Sequence, residues 1–179
     1  MANAEKTTGQ AAGLALDFIS HSAEQTRRVG MRLGRHARAG DLFLLSGPFG
    51  AGKTLLTQGL AAGLGVTERV TSPSFTLVNE YAGHTAEGRR VRLYHVDLYR
   101  LETEAEVASV GLEDMLADPA GIGAIEWPDR LGDLEGLEHL LIVLSPVSDT
   151  KRRLTLTAIG ARHAALLAEL RAEAFGVGH

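Results

Sequence analysis

The chain has 179 residues and a formal net charge of -4, with 45% hydrophobic and 22% charged residues, so it is long enough for one domain with a substantial core and is not a protein that coats nucleic acid broadly. It contains no cysteine, which excludes disulfides, thiolate zinc sites and cysteine nucleophiles. A polar N-terminus without the apolar core of a signal peptide, and no apolar run near the roughly 18 residues of a membrane span, point to the cytoplasm and away from a membrane.

Residues 1–12 are small and polar without periodicity and are expected to be disordered. Ser22-Ala23-Glu24-Gln25 fits a capping box, with Ser22 as N-cap and Gln25 reaching back. The helix it opens carries Val29, Leu33 and Ala37 on one face and ends near Gly40. Arg27, Arg28, Arg32, Arg35, His36 and Arg38 make it basic, which reads first as a solvated face and second as a phosphate-binding one. Leu42 to Leu45 is a buried strand, and Leu55 to Leu64 a helix.

Between them lies Gly47-Pro48-Phe49-Gly50-Ala51-Gly52-Lys53-Thr54, which fits G-x-x-x-x-G-K-[ST], the phosphate-binding P-loop, in the strand–loop–helix context that motif requires. Glycines let the backbone turn its N–H groups toward phosphate oxygens. The helix starting near Gly52 adds its positive dipole end. Lys53 can reach the β- and γ-phosphates, and Thr54 can offer a hydroxyl to Mg²⁺. Residues 13–179 are therefore read as a single domain built around this P-loop.

Beyond this helix, Thr71-Ser72-Pro73-Ser74-Phe75-Thr76 is either a hydroxyl-bearing loop that closes over a γ-phosphate or simply a turn. Leu77-Val78 starts a short strand ending near Tyr81, residues 83–90 form a hairpin-like turn, and Val91 to Asp97 alternates as a strand. Thr103 to Glu106 is a second capping box, whose helix holds Val107 and Val110 and breaks at Gly111; a short helix covers Leu112 to Leu116. Ile122 to Trp127 is a buried strand stopped by Pro128, Leu140 to Leu144 and Leu154 to Ala158 are late strands, and Arg162 to Ala174 is a C-terminal helix. Strands alternating with helices give an α/β fold: a three-layer P-loop NTPase arrangement around a mostly parallel, mixed central sheet.

Asp97 and Glu126 each end an apolar strand, where ligands of open α/β sheets bind. Either can approach an Mg²⁺ held by Thr54, because that ion takes oxygen ligands and keeps several waters. His95 and Asp97 share one strand face, as a base and its orienter would, although a satisfied buried histidine is the commoner arrangement. Trp127 is read as core or as a wall of the site in preference to a partner contact.

Four elements, Gly47 to Thr54, Ser72 to Phe75, His95-Val96-Asp97-Leu98-Tyr99-Arg100 and Ile125-Glu126-Trp127-Pro128, stand in the order and spacing of the TsaE family, which this chain resembles from about Ser22 to Arg153. The resemblance implies a P-loop ATPase that binds ATP or ADP with Mg²⁺. Thr54 and Glu126 would ligate the metal, Asp97 would serve activity near the γ-phosphate, and residues 72–76 would be a switch-like loop. Residues 23–26 would frame the adenine and residues 150–153 would approach the nucleotide. The implied nucleotide set is Gly47, Gly50, Ala51, Gly52, Lys53, Thr54 and Leu55, with Ala23, Thr26, Ser74 and Lys151; the implied catalytic set is Lys53, Asp97 and Glu126. The implied partners are the TsaB and TsaD subunits, which place a threonylcarbamoyl group on adenosine 37 of tRNAs reading codons that start with A. ATP hydrolysis would reset that complex between turnovers, with tRNA met through the partners. Phe49 stands where the family usually has Leu, and Ser74 where it usually has Thr.

Hydrolysis by the chain alone is expected to be slow, because no positioned glutamine or clear arginine finger accompanies the loop; Arg100 is the candidate finger. A small-molecule P-loop kinase and a non-hydrolysing nucleotide-dependent adaptor are the alternatives.

Overall fold

A seven-stranded mixed sheet organises residues 14–175, the part of the chain that the computed structural model describes. The expected disordered stretch, 1–12, lies outside the described residues. The strands are β1 (Ala15–Ser20), β2 (Leu42–Ser46), β3 (Val78–His84), β4 (Arg90–Asp97), β5 (Gly121–Glu126), β6 (His139–Pro146) and β7 (Arg152–Ile159), in the order β1-β7-β6-β2-β5-β4-β3. The four middle strands, β6, β2, β5 and β4, are mutually parallel. The flanking strands β7, β1 and β3 pair antiparallel, so the sheet is mixed with a parallel centre, as expected.

Five helices cover it: α1 (Ala23–His36), α2 (Lys53–Gly63), α3 (Glu104–Ser109), α4 (Leu112–Ala117) and α5 (Ala161–Phe175). Phe43 and Leu45 of β2 join a core with Leu33 of α1, Leu56 and Leu60 of α2 and Leu166 of α5. Leu42 and Leu44 point the other way and pack with Val96, Ile125 and the side chains of Val107 and Leu112 from α3 and α4. A central parallel strand is buried on both faces, so it reads as an unbroken apolar run.

α1 crosses α2 on glycines. A Cβ on Gly30 or Gly34 would lie 2.1 or 2.2 Å from the carbonyl oxygens of Leu56 and Leu60; one on Gly59 or Gly63 would lie 2.0 or 2.2 Å from those of Arg27 and Met31. The backbones touch because both helices place glycine at i, i+4 on the facing side.

Two local expectations need correction. Ala15 to Ser20 forms an edge strand paired with β7 ahead of the first expected element; Leu16 and Phe18 alternate against the core but are only partly buried, a weak signal over six residues. At the first helix, Gln25 N–H donates to Ser22 Oγ at 3.2 Å as expected, but Gln25 Oε1 accepts from His21 N–H at 2.7 Å, one residue before the N-cap. The second box at Thr103 is reciprocal.

Candidate functional site

The carboxyl ends of β2, β4 and β5 meet at one place. Their register puts Asp97 beside Glu126 and Glu126 beside Leu45, directly before the glycine loop. Asp97 shares a strand face with Leu93 and His95, and Glu126 with Ile122 and Ala124, the face that packs under α2.

The loop needs its glycines. Gly47, Gly50 and Gly52 have φ of 144°, 76° and 106°, values that side chains with a Cβ rarely adopt. A Cβ on Gly47 would also lie 2.4 Å from the Leu144 carbonyl oxygen. Ala51 N–H donates to Pro48 O at 3.1 Å, closing the turn, and Leu56 N–H donates to Gly52 O at 2.9 Å as α2 begins. The amides of Lys53, Thr54 and Leu55 thus occupy a first helical turn, where no carbonyl one turn back can take them, and where an anion is favoured.

Lys53 is 5% exposed. Its Nζ donates to Gly47 O at 2.7 Å and Pro48 O at 3.0 Å and sits 4.3 Å from the centre of the Trp127 ring. Burial lowers the Lys53 pKa from its usual value, opposed by the nearby negative charges of Glu126 and Asp97. Thr54 Oγ1 donates to Glu126 Oε1 at 2.9 Å, and His95 Nε2 lies 2.8 Å from the same oxygen. His95 is therefore the partner of Glu126, and Asp97 is not its orienter. Asp97 Oδ1 accepts the Tyr99 N–H at 3.0 Å, while the Ser72 and Ser74 hydroxyls approach Oδ2 at 3.5 and 3.4 Å and one another at 2.6 Å.

Lys53, Thr54, Glu126, Asp97, Ser72 and Ser74 line an open cavity of about 460 Å³, with His95 buried behind it. Its rim is aromatic. Tyr99 lies 4.9 Å from Trp127 and 6.3 Å from Phe49, ring centre to ring centre. The Arg100 guanidinium sits 4.6 Å over Phe75. Phe49 is 85% and Phe75 87% exposed, whereas Trp127 is partly buried and packs against the core as a wall of the site. Among the described residues, the non-glycine positions with positive φ are Leu77 (65°) and Trp127 (62°), and both belong here. Leu77 O accepts the Asp97 N–H at 3.0 Å, tying the 72–76 loop to β4, and Trp127 N–H donates to Leu45 O at 3.2 Å. Such strained backbone persists where surrounding structure holds it, typically at ligand sites.

The outlying expected residues are spread around the loop. Thr26 is buried beside it: its methyl would lie 3.8 Å from a Cβ on Gly52, and its hydroxyl is 2.8 Å from Ser20 Oγ. Ala23 is exposed at the start of α1. Lys151 is exposed on the β6–β7 turn, with its N–H on Ser148 Oγ. The next residue reaches the loop: Arg152 Nε donates to Ala51 O at 3.2 Å. Neither this anchor nor the His95–Glu126 bond was singled out from the sequence; each joins residues far apart in the chain.

Four of the six residues of the basic cluster meet carboxylates, while Arg27 and Arg38 form no salt bridge among the described residues. Arg28 meets Glu24 within α1, while Arg32, Arg35 and His36 meet Glu173 or Glu169 of α5. Thr54, Glu126 and Asp97 offer the cavity a hydroxyl and two carboxylates, oxygen ligands that suit Mg²⁺, which is commonly bound by one or two carboxylates together with waters and substrate phosphates. No group of three or more His, Cys, Asp or Glu able to hold a metal occurs among the described residues, and none of the described helices is long and apolar enough to cross a membrane.

A family model described as "Threonylcarbamoyl adenosine biosynthesis protein TsaE" matches residues 20–154. The chain is 37% identical over 155 residues to the "tRNA threonylcarbamoyladenosine biosynthesis protein TsaE" of Bacillus subtilis, covering 87% of this chain and 93% of that one. It is 50% identical over 111 residues to the Nostoc protein of the same description, covering 60% of this chain and 65% of that one. A crystal structure of Bacillus subtilis YdiB superposes with a TM-score of 0.75 at 31% identity, covering 92% of this chain and 99% of that one.

Proposed function

Because the chain belongs to the TsaE family, we propose that it is a cytoplasmic, Mg²⁺-dependent ATP-binding protein and slow ATPase that serves tRNA threonylcarbamoyladenosine formation, resetting a TsaB–TsaD complex between turnovers. The observation that carries this reading is the convergence of Lys53, Thr54, Glu126 and Asp97 in one cavity at the mouth of a glycine loop.

Lys53 would leave the Gly47 and Pro48 carbonyls that it now caps and meet the β- and γ-phosphates, while the first-turn amides of α2 bind the same oxygens. Thr54 and Glu126 would hold Mg²⁺, which neutralises phosphate charge as it develops. Asp97 would orient a water against the γ-phosphorus. The water oxygen would bond to phosphorus as the β–γ bridging oxygen leaves with ADP, one water proton would stay on the departing phosphate and the other would pass to solvent. The cavity supplies few groups for that charge. Arg100, the arginine lining it, lies over Phe75, which supports slow turnover by the chain alone. The exposed Phe49, Phe75 and Tyr99 form the surface on which a protein partner would complete the site. The net charge of -4 and the pairing of Arg28, Arg32, Arg35 and His36 with carboxylates support contact with tRNA through the partners, not directly.

The test is ATP hydrolysis by the purified chain, alone and then with TsaB, TsaD and tRNA. The expected result is little turnover alone and stimulated turnover in the mixture, lost in Lys53→Ala and Asp97→Ala. Tight ATP binding without turnover in any mixture would refute the ATPase reading in favour of an adaptor, and turnover that depends on an added small acceptor would favour a kinase.

A further inference from the structure

His95 is fully buried on β4. A carboxylate can only accept, so the nitrogen 2.8 Å from Glu126 Oε1 carries the hydrogen. The other ring nitrogen, Nδ1, has no hydrogen-bond partner among the described residues. An imidazole that only filled space beneath α2 would be better replaced by an apolar ring, since an unpaired buried nitrogen costs free energy. Oε1 of Glu126 thus takes two donors, from His95 and Thr54, while Oε2 takes none from the described residues. Lys53 lines the same cavity as Glu126, and the two carry opposite charges. A Glu126 free to swing toward that ammonium would occupy the phosphate-binding lysine and leave Thr54.

We propose that His95 is a positioning residue: its Nε2–H pins Glu126 Oε1 beside Thr54, keeps the carboxylate off Lys53, and leaves Oε2 for a divalent cation or a water bound to it. This rests on the nucleotide-binding reading above. His95 touches neither metal nor nucleotide; it sets the metal dependence of nucleotide binding from within the core. Hydrogen-bonding partners of metal ligands typically govern metal affinity by about 10–100-fold.

The experiment is calorimetric binding of ADP to the full chain in EDTA and across a Mg²⁺ titration, for wild type, His95→Gln, His95→Asn and His95→Phe. Gln places an amide N–H close to the Nε2 position, Asn stops short of Glu126, and Phe keeps the ring volume without a donor. The expected result is an unchanged ADP affinity in EDTA for all four proteins. The Mg²⁺ midpoint should rise about 10–100-fold in His95→Asn and His95→Phe and stay near wild type in His95→Gln. If Phe impairs folding, as read by circular dichroism, the Gln–Asn pair decides. Equal midpoints in Gln and Asn, or an equal loss of ADP affinity with and without Mg²⁺, would overturn the proposal in favour of a packing role. Wild type that binds no ADP in either medium would overturn the nucleotide-binding reading itself, and this inference with it.

Discussion

Gly59→Ala tests the glycine crossing of α1 and α2, because propensity and packing make opposite claims there. Alanine in a helix interior is favoured over glycine by about 0.8–1.0 kcal/mol, so propensity alone predicts a more stable protein. The added Cβ would lie 2.0 Å from Arg27 O and 2.9 Å from Met31 N, both backbone atoms. Ordinary contact begins near 3.4 Å, so the helices must part by about 1.4 Å, the difference between 3.4 and 2.0. No rotamer relieves a Cβ. Overpacking typically costs about 1–3 kcal/mol, and a rigid backbone neighbour puts this site at the upper end. Gaps of about 0.5–1 Å forfeit a quarter to a half of each dispersion contact, here around Leu33, Leu56 and Leu60. The net expectation is a loss of about 1–2 kcal/mol, or a Tm lower by roughly 2–8 °C in a domain of this size. Thermal unfolding followed by circular dichroism measures it. A Tm equal to or above wild type would refute the reasoning, since it would mean that the helices yield without loss. α2 also carries Lys53 and Thr54 at its start, so nucleotide affinity should fall with stability.

Arg152→Ala removes the donor to Ala51 O and should weaken ADP binding severalfold in calorimetry while leaving the fold intact; unchanged affinity would show that the loop needs no anchor there. Phe49→Ala and Phe75→Ala remove exposed rings and should change stability by no more than about 0.5 kcal/mol while lowering the stimulation of ATPase activity by TsaB and TsaD; full stimulation would place the partner elsewhere. The Asp118 carboxyl is held below its usual pKa of 3.8 chiefly by the Ala120 N–H, then by the Tyr94 hydroxyl and Arg92. A depressed carboxylate pKa contributes stability that is present above 3.8 and lost as pH falls through the folded value. Urea unfolding of Asp118→Asn should therefore show a shallower loss of stability on the acid side; an unaltered acid limb would refute it.

The elements that could be read in the chain were those whose signal is local. Four consecutive apolar residues at Leu42 mark a strand buried on both sides, and the Thr103 box and Gly111 bound a helix through their own side chain and αL backbone. β1 escaped because an edge strand half in water alternates weakly and gains its hydrogen bonds from β7, more than 130 residues later, as the Ser20–Arg152 pairing shows. The site divides the same way. The glycine loop could be read because phosphate binding demands glycine at fixed spacing, and Asp97 and Glu126 because strand ends are where ligands bind. What they bond to could not be read. The spacing that puts His95 and Asp97 on one face made them natural partners, yet residues two apart on a strand project side by side, not toward each other. The parallel register sets His95 beside Ala124 and Asp97 beside Glu126, and His95 reaches diagonally across that register to Glu126. Whether a buried imidazole meets a neighbouring carboxylate depends on the strand order β2-β5-β4, and strand order is fixed by packing across the whole sheet. A motif therefore names the groups that can touch a phosphate, while the register decides which core side chain holds each of them still.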